Sequence, residues 1–423
     1  MHKRNPYRQP PDFTQLAQAY PPLKSCVIKQ GANVSIDFKN EVSQRRLTEA
    51  LLHRDFGLSL ELPPNRLCPP VPNRLNYVLW VEDIVQAHEH GQVCGLDIGT
   101  GASVIYPLLA CKTNADWCFI ATDIDALSLS VARQNITANN MQDRIRLVES
   151  TLEGPIFGPL LHDPTLTITF TMCNPPFYSS HADVQVSAAA KEFEPYAVCT
   201  GADVEMITAG GESAFVRKMV EESIHIGTRC RWYTSMLGKL SSLSQVVEAL
   251  RLHSIDNYAI TEFVQGTTRR WAIAWSLGPL RLPDPLARIS SHQVHALIPS
   301  RNTLYQPFTG IQEAERVKWN HVLHAELVRV DGTTVSVYGD GACLVSAAKN
   351  TWSRSARRKQ KQSDDTEMTD VDPELRCTVR WLFEEMGTRL EHQWVEGRDR
   401  QLFESFAGHV NRKVVEAIRL GSH

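Results

Sequence analysis

Few of the features that assign a chain quickly are here. The 10 cysteines are scattered, with no CxxC pair, so neither a disulfide framework nor a zinc ribbon is expected and the thiols read as reduced core filler. The 15 histidines show no ligand spacing, and no metal is expected. No apolar run would span a bilayer: the richest, "LDIGTGASVIYPLLAC", carries Asp97 and several turn formers, so no membrane partner is expected. "MHKRNPYRQPPDF" has charges and prolines but no apolar h-region, and hence no secretion signal is expected. A charge excess is also missing, since 44 Lys and Arg meet 47 Asp and Glu for a net charge of −3. That excludes a protein that coats nucleic acid by global charge, and RNA binding would have to come from local patches. There is no internal repeat. The expectation is a soluble intracellular chain of 423 residues in two domains.

What is present is ordered punctuation. Residues 1–75 mix short amphipathic segments ("PPDFTQLAQAY", "EVSQRRLTEALLHRDFGL") with proline clusters. The last cluster, "LPPNRLCPPVP", predicts an extended strap. From Asn76, strand-like "VCGLDIG", "CFIATDID", "RIRLVES", "TLTITFTMCNPPF" and "CRWYTSML" alternate with helical "SVIYPLLACK", "ALSLSVARQNITANN", "GESAFVRKMVEESIHI" and "SLSQVVEALRLH". "NYAITEFVQGTTRRWAIAWSL" reads as a hairpin around Gly266. The alternation predicts an α/β domain over 76–280, with a mostly parallel seven-stranded sheet that binds ligands at its strand carboxyl ends. Residues 281–291 read as a proline-bearing linker. Beyond it "HAELVRVDG", "TTVSVYGDG" and "LRCTVRWLFEE" read as strands, and "CLVSAAKNTW" and "RQLFESFAGHVNRKVVEAIR" as helices. Residues 292–423 are thus expected to form a small α+β domain with a charged loop at about 353–374.

"LDIGTGAS" stands where a strand turns into a helix. Gly99 and Gly101 let backbone N–H groups approach a ligand, and Asp97 ends the strand. "ATDID" then puts Asp123 at the next strand tip, where an acid can hold both hydroxyls of a ribose. Alone, a GxG turn is a weak signal, because some such matches are merely tight turns. A dinucleotide fold wants a third glycine for its pyrophosphate, and Val104 and Ile105 fill that place. The short form suits a nucleoside without phosphates, S-adenosylmethionine, and disfavours the NAD alternative.

"MCNPPF" ends a β-branched strand with residues that do not prolong a sheet. Pro175 fixes its own φ and keeps Asn174 extended, aiming the amide into the cleft. The Asn174 amide pairs an acceptor with a donor, which matches the Watson–Crick edge of adenine, and Phe177 can stack on the ring. An exocyclic amine is a weak nucleophile because its lone pair is delocalised. Acceptors on Asn174 and on the Pro175 carbonyl would gather its protons and free that pair for a sulfonium methyl, by positioning and placed dipoles. The plain alternative is a strand-ending turn. Cytosine and a glutamine amide present the same edge, so the motif supports amine methylation without naming the amine's owner.

Seven ordered blocks, "FKNEVSQRRLTEALLHRDFGL", "NRLNYVLWVED", "LDIGTGASVIYPLLA", "MCNPPF", "GGESAFV", "RWYTSMLGK" and "EFVQGTTRRWAIAWS", together resemble the methyltransferase-like protein 16 family. These are RNA adenine-N6 methyltransferases acting on U6 small nuclear RNA, related to a bacterial ribosomal RNA enzyme. The resemblance implies a Rossmann-like class I methyltransferase fold in which Arg74, Gly99 and Ser103 contact the cofactor. It implies that Asn174, Pro175, Pro176 and Phe177 hold the target adenine, that Lys39 grips RNA and that Arg270 meets the phosphate path. "NTWSRSARRKQK" and "HQWVEGRDRQLFESF" are similar to the family's split RNA-binding region, which implies a kinase-associated-1-like C-terminal fold. Asp123 stands where the family usually has Glu, and Thr267 replaces an RNA-contacting arginine for which Arg269 would compensate. The loop after the catalytic motif has only Lys191 in place of an arginine run, and Gly154 replaces a hydroxyl residue near the cofactor.

In "RSARRKQK", Arg354, Arg357, Arg358 and Lys359 read as an RNA phosphate patch, a nuclear import signal or a solvated loop. The expected activity is N6-methylation of an unpaired adenine in U6-type RNA, in the nucleus, with a cytoplasmic pool as the alternative. A protein amide N-methyltransferase and a largely non-catalytic RNA scaffold are the rival functions.

Overall fold

The computed structural model describes residues 1–31, 33–88, 91–189, 201–266, 268–353, 374–385 and 387–421. They fall into two compact units, Met1–Leu277 with Ile289–Ile298, and Gly278–Arg288 with Pro299–His423.

The first unit opens with helix α1 (Phe13–Ala19), the two-stranded β1 (Val27–Gln30) and β2 (Asn33–Ile36), and helix α2 (Glu41–Phe56). Asp12 caps α1 by accepting from the N–H groups of Thr14 and Gln15, and Asn40 caps α2 by accepting from Ser43. Gly57, at φ 58°, ends α2 in the left-handed region. The proline strap then runs without helix. Asn139 holds Ser59, and Asn135 both holds Glu61 and donates to the Ala102 carbonyl. Arg66, buried, reaches Asp125 at 2.7 Å and Ser128 at 3.1 Å.

Helix α3 (Val71–Gln86) is the element that the sequence patterning did not reveal. It is buried on nearly every side, so it lacks the polar stripe that marks a surface helix. Strand and helix then alternate: β3 (Cys94–Ile98), α4 (Ile105–Thr113), β4 (Cys118–Asp123), α5 (Ala126–Ala138), β5 (Ile145–Glu149), α6 (Gly158–His162) and β6 (Ile168–Cys173). Short α7 (His181–Ala189) and α8 (Asp203–Met206) precede α9 (Gly211–Ile226), β7 (Cys230–Leu237), α10 (Leu240–Leu252) and the hairpin of β8 (Tyr258–Gln265) and β9 (Thr268–Trp275).

The seven strands lie in the order β5-β4-β3-β6-β7-β9-β8. The first five run parallel, and β9 is antiparallel to both its neighbours. The chain winds from β3 outward to β5 and then returns to the other side of β3, so the switch point lies between β3 and β6. This is the mostly parallel seven-stranded sheet that the alternation predicts, in the class I methyltransferase arrangement that the resemblance implies. Trp232, Tyr233, Trp271 and Trp275 are all core, and Tyr233 stacks on Trp275 at 5.7 Å. Among the described residues no helix is long and apolar enough to cross a membrane.

Among the described residues, the second unit is an antiparallel sheet with two long helices. Its elements are α11 (Asp284–Ala287), β10 (Thr303–Phe308), α12 (Arg316–Val328), β11 (Thr333–Tyr338), β12 (Ala342–Ala347), β13 (Leu375–Glu384), β14 (Gly387–Gly397) and α13 (Arg400–Gly421), with strand order β10-β14-β13-β12-β11. Two local readings are corrected. "HAELVRVDG" is the end of α12, because Trp319, Leu323 and Leu327 are buried four residues apart, a helical period. "CLVSAA" is strand β12, whose buried Cys343, Val345 and Ala347 recur every second residue. The stretch read as a linker over 281–291 is not free chain. Arg281 and Leu282 are buried in the second unit, where the Arg281 guanidinium lies 3.9 Å from the Trp394 ring, and Ile289–Ile298 belongs with the first.

Candidate active site

Ile98 pairs with Cys173 in parallel register. The glycine turn after β3 and Asn174 after β6 therefore leave the sheet side by side at the switch point. Gly99 and Gly101 have φ of +67° and +63°, and a Cβ built on Gly99 would meet nothing within 4 Å. The turn is thus an open cradle of a kind only glycine forms without strain. The Asp123 carboxylate is fixed across it, accepting from the Gly101 N–H at 2.8 Å and from the Asp125 N–H at 2.9 Å. Burial raises its carboxyl above the usual range, against these backbone donors. Each oxygen keeps a further lone pair for a ribose hydroxyl.

Asp97, on β3, is fully buried, and neither of its oxygens has a hydrogen-bond partner among the described residues. Burial pushes its carboxyl up to about 7, Asp123 adds to the effect, and Thr100 and Arg74 oppose it. Arg74 is carried by α3, which explains why the unexpected helix matters. It is buried, donates to the Tyr106 hydroxyl at 3.0 Å, and has no carboxylate partner among the described residues. Ser103 is buried in the same turn. Two orphaned acid oxygens, an open glycine cradle and an unpaired guanidinium fit a nucleoside that also bears a cation and a carboxylate. S-Adenosylmethionine is such a molecule.

Asn174 is half-buried, yet its Oδ1 is buried with no partner among the described residues. Pro175 is buried behind it, and Pro176 and Phe177 are half-buried. The Arg270 guanidinium lies 5.6 Å from the Phe177 ring centroid, and the Lys239 ammonium lies 5.7 Å from that of Tyr178. Burial, and next the charge of Arg74, lowers the Arg270 guanidinium from its ordinary value. Arg74 and Arg270 are thus neighbouring cations, a setting that favours an anion.

Lys39 is exposed in the turn between β2 and α2, with its backbone N–H on Asp37. Arg269 is paired with Glu262 at 3.1 Å and is half exposed. Arg354, Arg357, Arg358 and Lys359 lie outside the described residues. Among the described residues no group of His, Cys, Asp and Glu could hold a metal.

Sequence reasoning passed over two acids. Glu205 Oε2 accepts from the N–H groups of Leu67 and Ala202, both at 2.9 Å, and its Oε1 lies 3.5 Å from where a Gly101 Cβ would be. It ties the strap to the nucleotide turn, and nothing in its local sequence signals that. Glu212, buried at the start of α9, accepts from the N–H groups of Gly238 at 2.7 Å and Lys239 at 2.8 Å. Its "GGES" block was a visible signal, because Gly210 and Gly211 both need positive φ.

Comparison with known proteins agrees with this geometry. Residues 1–278 match the model of a family described as RNA methyltransferase. The RNA N(6)-adenosine-methyltransferase mettl16 of Xenopus laevis is 41% identical over 293 residues, covering 67% of this chain and 53% of that protein. The U6 small nuclear RNA (adenine-(43)-N(6))-methyltransferase of Schizosaccharomyces pombe is 35% identical over 405 residues, covering 92% and 98%. The chain spans about half the length of the Xenopus, mouse and human relatives it matches. Among solved structures, the hMettl16 catalytic domain in complex with the MAT2A 3'UTR hairpin 1 superposes with a TM-score of 0.61 at 40% identity, covering 66% of this chain and 95% of that one. The N-terminal domain of human METTL16 in complex with SAH gives 0.55 at 39% identity, covering 66% and 98%. With the match running through both the glycine turn and the Asn-Pro-Pro-Phe tip, the chain belongs to this RNA methyltransferase family.

Proposed function

We propose that this chain is an S-adenosylmethionine-dependent RNA methyltransferase that forms N6-methyladenosine, with U6-type small nuclear RNA as substrate. One observation carries the reading: the Asn174 side-chain oxygen is buried, and without a partner among the described residues, beside an open nucleoside cradle. A buried acceptor without a donor is costly, about 1–3 kcal/mol, and is retained where a ligand supplies the donor. Relatives that methylate adenine N6, and one solved with an RNA hairpin, support the same substrate class.

Asn174 Oδ1 and the Pro175 carbonyl would accept the two protons of the exocyclic amine, holding the nitrogen with its lone pair free. Phe177 would stack on the base, with Arg270 behind the ring. Asp97, Asp123, Arg74, Ser103 and the backbone of Gly99 and Gly101 would hold the cofactor, which when bound supplies a methyl carbon on a sulfonium. No strong base is needed, because the nitrogen becomes acidic only as the methyl arrives and water can take its proton. The target adenine must be unpaired or flipped, since N6 is unreachable in a duplex. We read the second unit as an auxiliary RNA-binding domain and place the protein in the nucleus, on the basic run beginning at Arg354.

The test is Asn174→Ala. Turnover on a hairpin RNA with one unpaired adenine should fall about a thousandfold while S-adenosylhomocysteine affinity stays within about threefold. A near-normal rate, or label passing from the wild type to protein and not RNA, would overturn the reading.

A further inference from the structure

The reading above leaves unexplained why a carboxylate is buried at the start of α9. Glu212 is 2% exposed, and both its oxygens are spent on backbone N–H groups, Oε2 on Gly238 and Oε1 on Lys239. Those two residues form the turn between β7 and α10, and each touches one aromatic ring of the catalytic tip. A Cβ on Gly238 would lie 3.0 Å from Phe177 Cδ1 and 3.2 Å from Glu212 Oε2. Gly238 is therefore the surface on which the Phe177 ring rests, with Arg270 also at that ring. The Lys239 ammonium is 5.7 Å from the Tyr178 ring centroid and 3.4 Å from Asp183, two residues into α7. The Tyr178 backbone is itself held by Met206 and Thr208.

We propose that Glu212 is a positioning residue for the target base, setting the pose of Phe177 and Tyr178 through the Gly238–Lys239 turn. A carboxylate suits this role because it is acceptor-only and takes two adjacent N–H groups without a competing donor of its own. It also sits in the first turn of a helix, where negative charge is favoured. The Phe177 ring cannot drift toward the turn while Gly238 is clamped. A platform that is loose by an ångström would misplace the amine relative to the methyl donor, and such errors cost about a hundredfold in rate.

The inference rests on the methylation reading, and the experiment separates the two. Full-length Glu212→Gln replaces one acceptor by a donor that faces an N–H. Gly238→Ala leaves every charge in place and pushes first on Phe177 and Glu212, the nearest atoms to its Cβ. Each is compared with wild type on the hairpin RNA, and on the same hairpin with 2-aminopurine at the target position, whose fluorescence is quenched by stacking. In both variants kcat should fall about tenfold to a hundredfold and at least half of the 2-aminopurine quenching should be lost. S-Adenosylhomocysteine affinity and hairpin affinity should stay within about threefold. A purely structural clamp would lower the melting temperature without touching the quenching. Wild-type kcat and quenching in both variants, or cofactor affinity lost in step with kcat, would overturn the inference. If Glu212→Gln does not fold, Gly238→Ala decides alone. An inactive wild type overturns the methylation reading instead.

Discussion

Replacing Asp97 by Asn should stabilise the ligand-free protein and weaken the cofactor, two effects of opposite sign from one atom pair. The Asp97 carboxyl is fully buried and pushed up to about 7 from an ordinary 3.8, chiefly by burial. Because the folded value is the higher one, its favourable contribution is complete below the unfolded value and is lost as pH climbs through the folded value. The loss therefore accrues between roughly pH 4 and pH 7 and then levels, at about 4 kcal/mol if nothing relaxes. Asn has nearly the same shape and never ionises, so the variant should lack that slope. Melting of the two ligand-free proteins near pH 5 and near pH 8 checks this. Wild type should lose roughly 2–3 kcal/mol more than Asp97→Asn over that interval, several degrees in Tm for a unit of this size. Calorimetric titration with S-adenosylhomocysteine near pH 8 should show the other face of the exchange. Losing a charge-assisted partner for the ligand's ammonium costs about 1.5–3 kcal/mol, or tenfold to somewhat over a hundredfold in Kd. Parallel pH slopes in the two proteins would refute the burial argument, and an unchanged Kd would refute the assignment of Asp97 to the cofactor.

Gly99→Ala should destabilise by about 1–2 kcal/mol, since its φ of +67° is strained for any residue with a Cβ although the space around it is open; thermal melting reads this, and wild-type stability would contradict it. Arg270→Ala should weaken hairpin binding and flatten the plot of log affinity against log salt by about one, leaving cofactor affinity alone; an unchanged slope would remove Arg270 from the phosphate path.

The sheet and the nucleoside cradle were legible because they are written in short-range signals. Strand periodicity, a GxG turn between strand and helix, and an acid at the next strand tip each need only a few residues. Asn174 was legible for the same reason, through the constraint that Pro175 places on its neighbour. Helix α3 was not, because full burial erases the amphipathic stripe by which a helix is recognised, and with it went the physical reason for Arg74 to lie beside Asp97. The contacts of Glu205 and Glu212 were illegible on other grounds, although the "GGES" block marks a turn beside Glu212. Apart from Ala202 beside Glu205, their partners are backbone N–H groups 138 and 26 or 27 residues away, and a backbone N–H leaves no mark in a sequence. In the second unit, strands β10 and β14 escaped notice, while β12 was misread because small residues such as Ala342 and Ser346 suit a helix until their pairing partners in β11 and β13 are known.

The charges of the site are sorted, and the sorting explains why position 174 is an amide. Asp97, Asp123 and Glu205 all have carboxyls raised above the usual range, burial being the leading cause. They gather at the β3 and β4 tips, where a ligand that carries a sulfonium and an ammonium is welcome. Arg74 and Arg270 form the opposing pair, with the Arg270 guanidinium depressed in part by Arg74, and they await anions. Asn174 stands between, at the end of the strand next to β3. A carboxylate there would be a further buried acid near Asp97, acceptor-only while ionised and matching the amide's acceptor–donor pair only once protonated. A lysine would repel the incoming cation. Only the amide keeps an acceptor and a donor aimed at the base at every pH where the neighbouring acids change state, so Asn174→Asp should retain the geometry and lose activity, most steeply where the introduced acid is ionised.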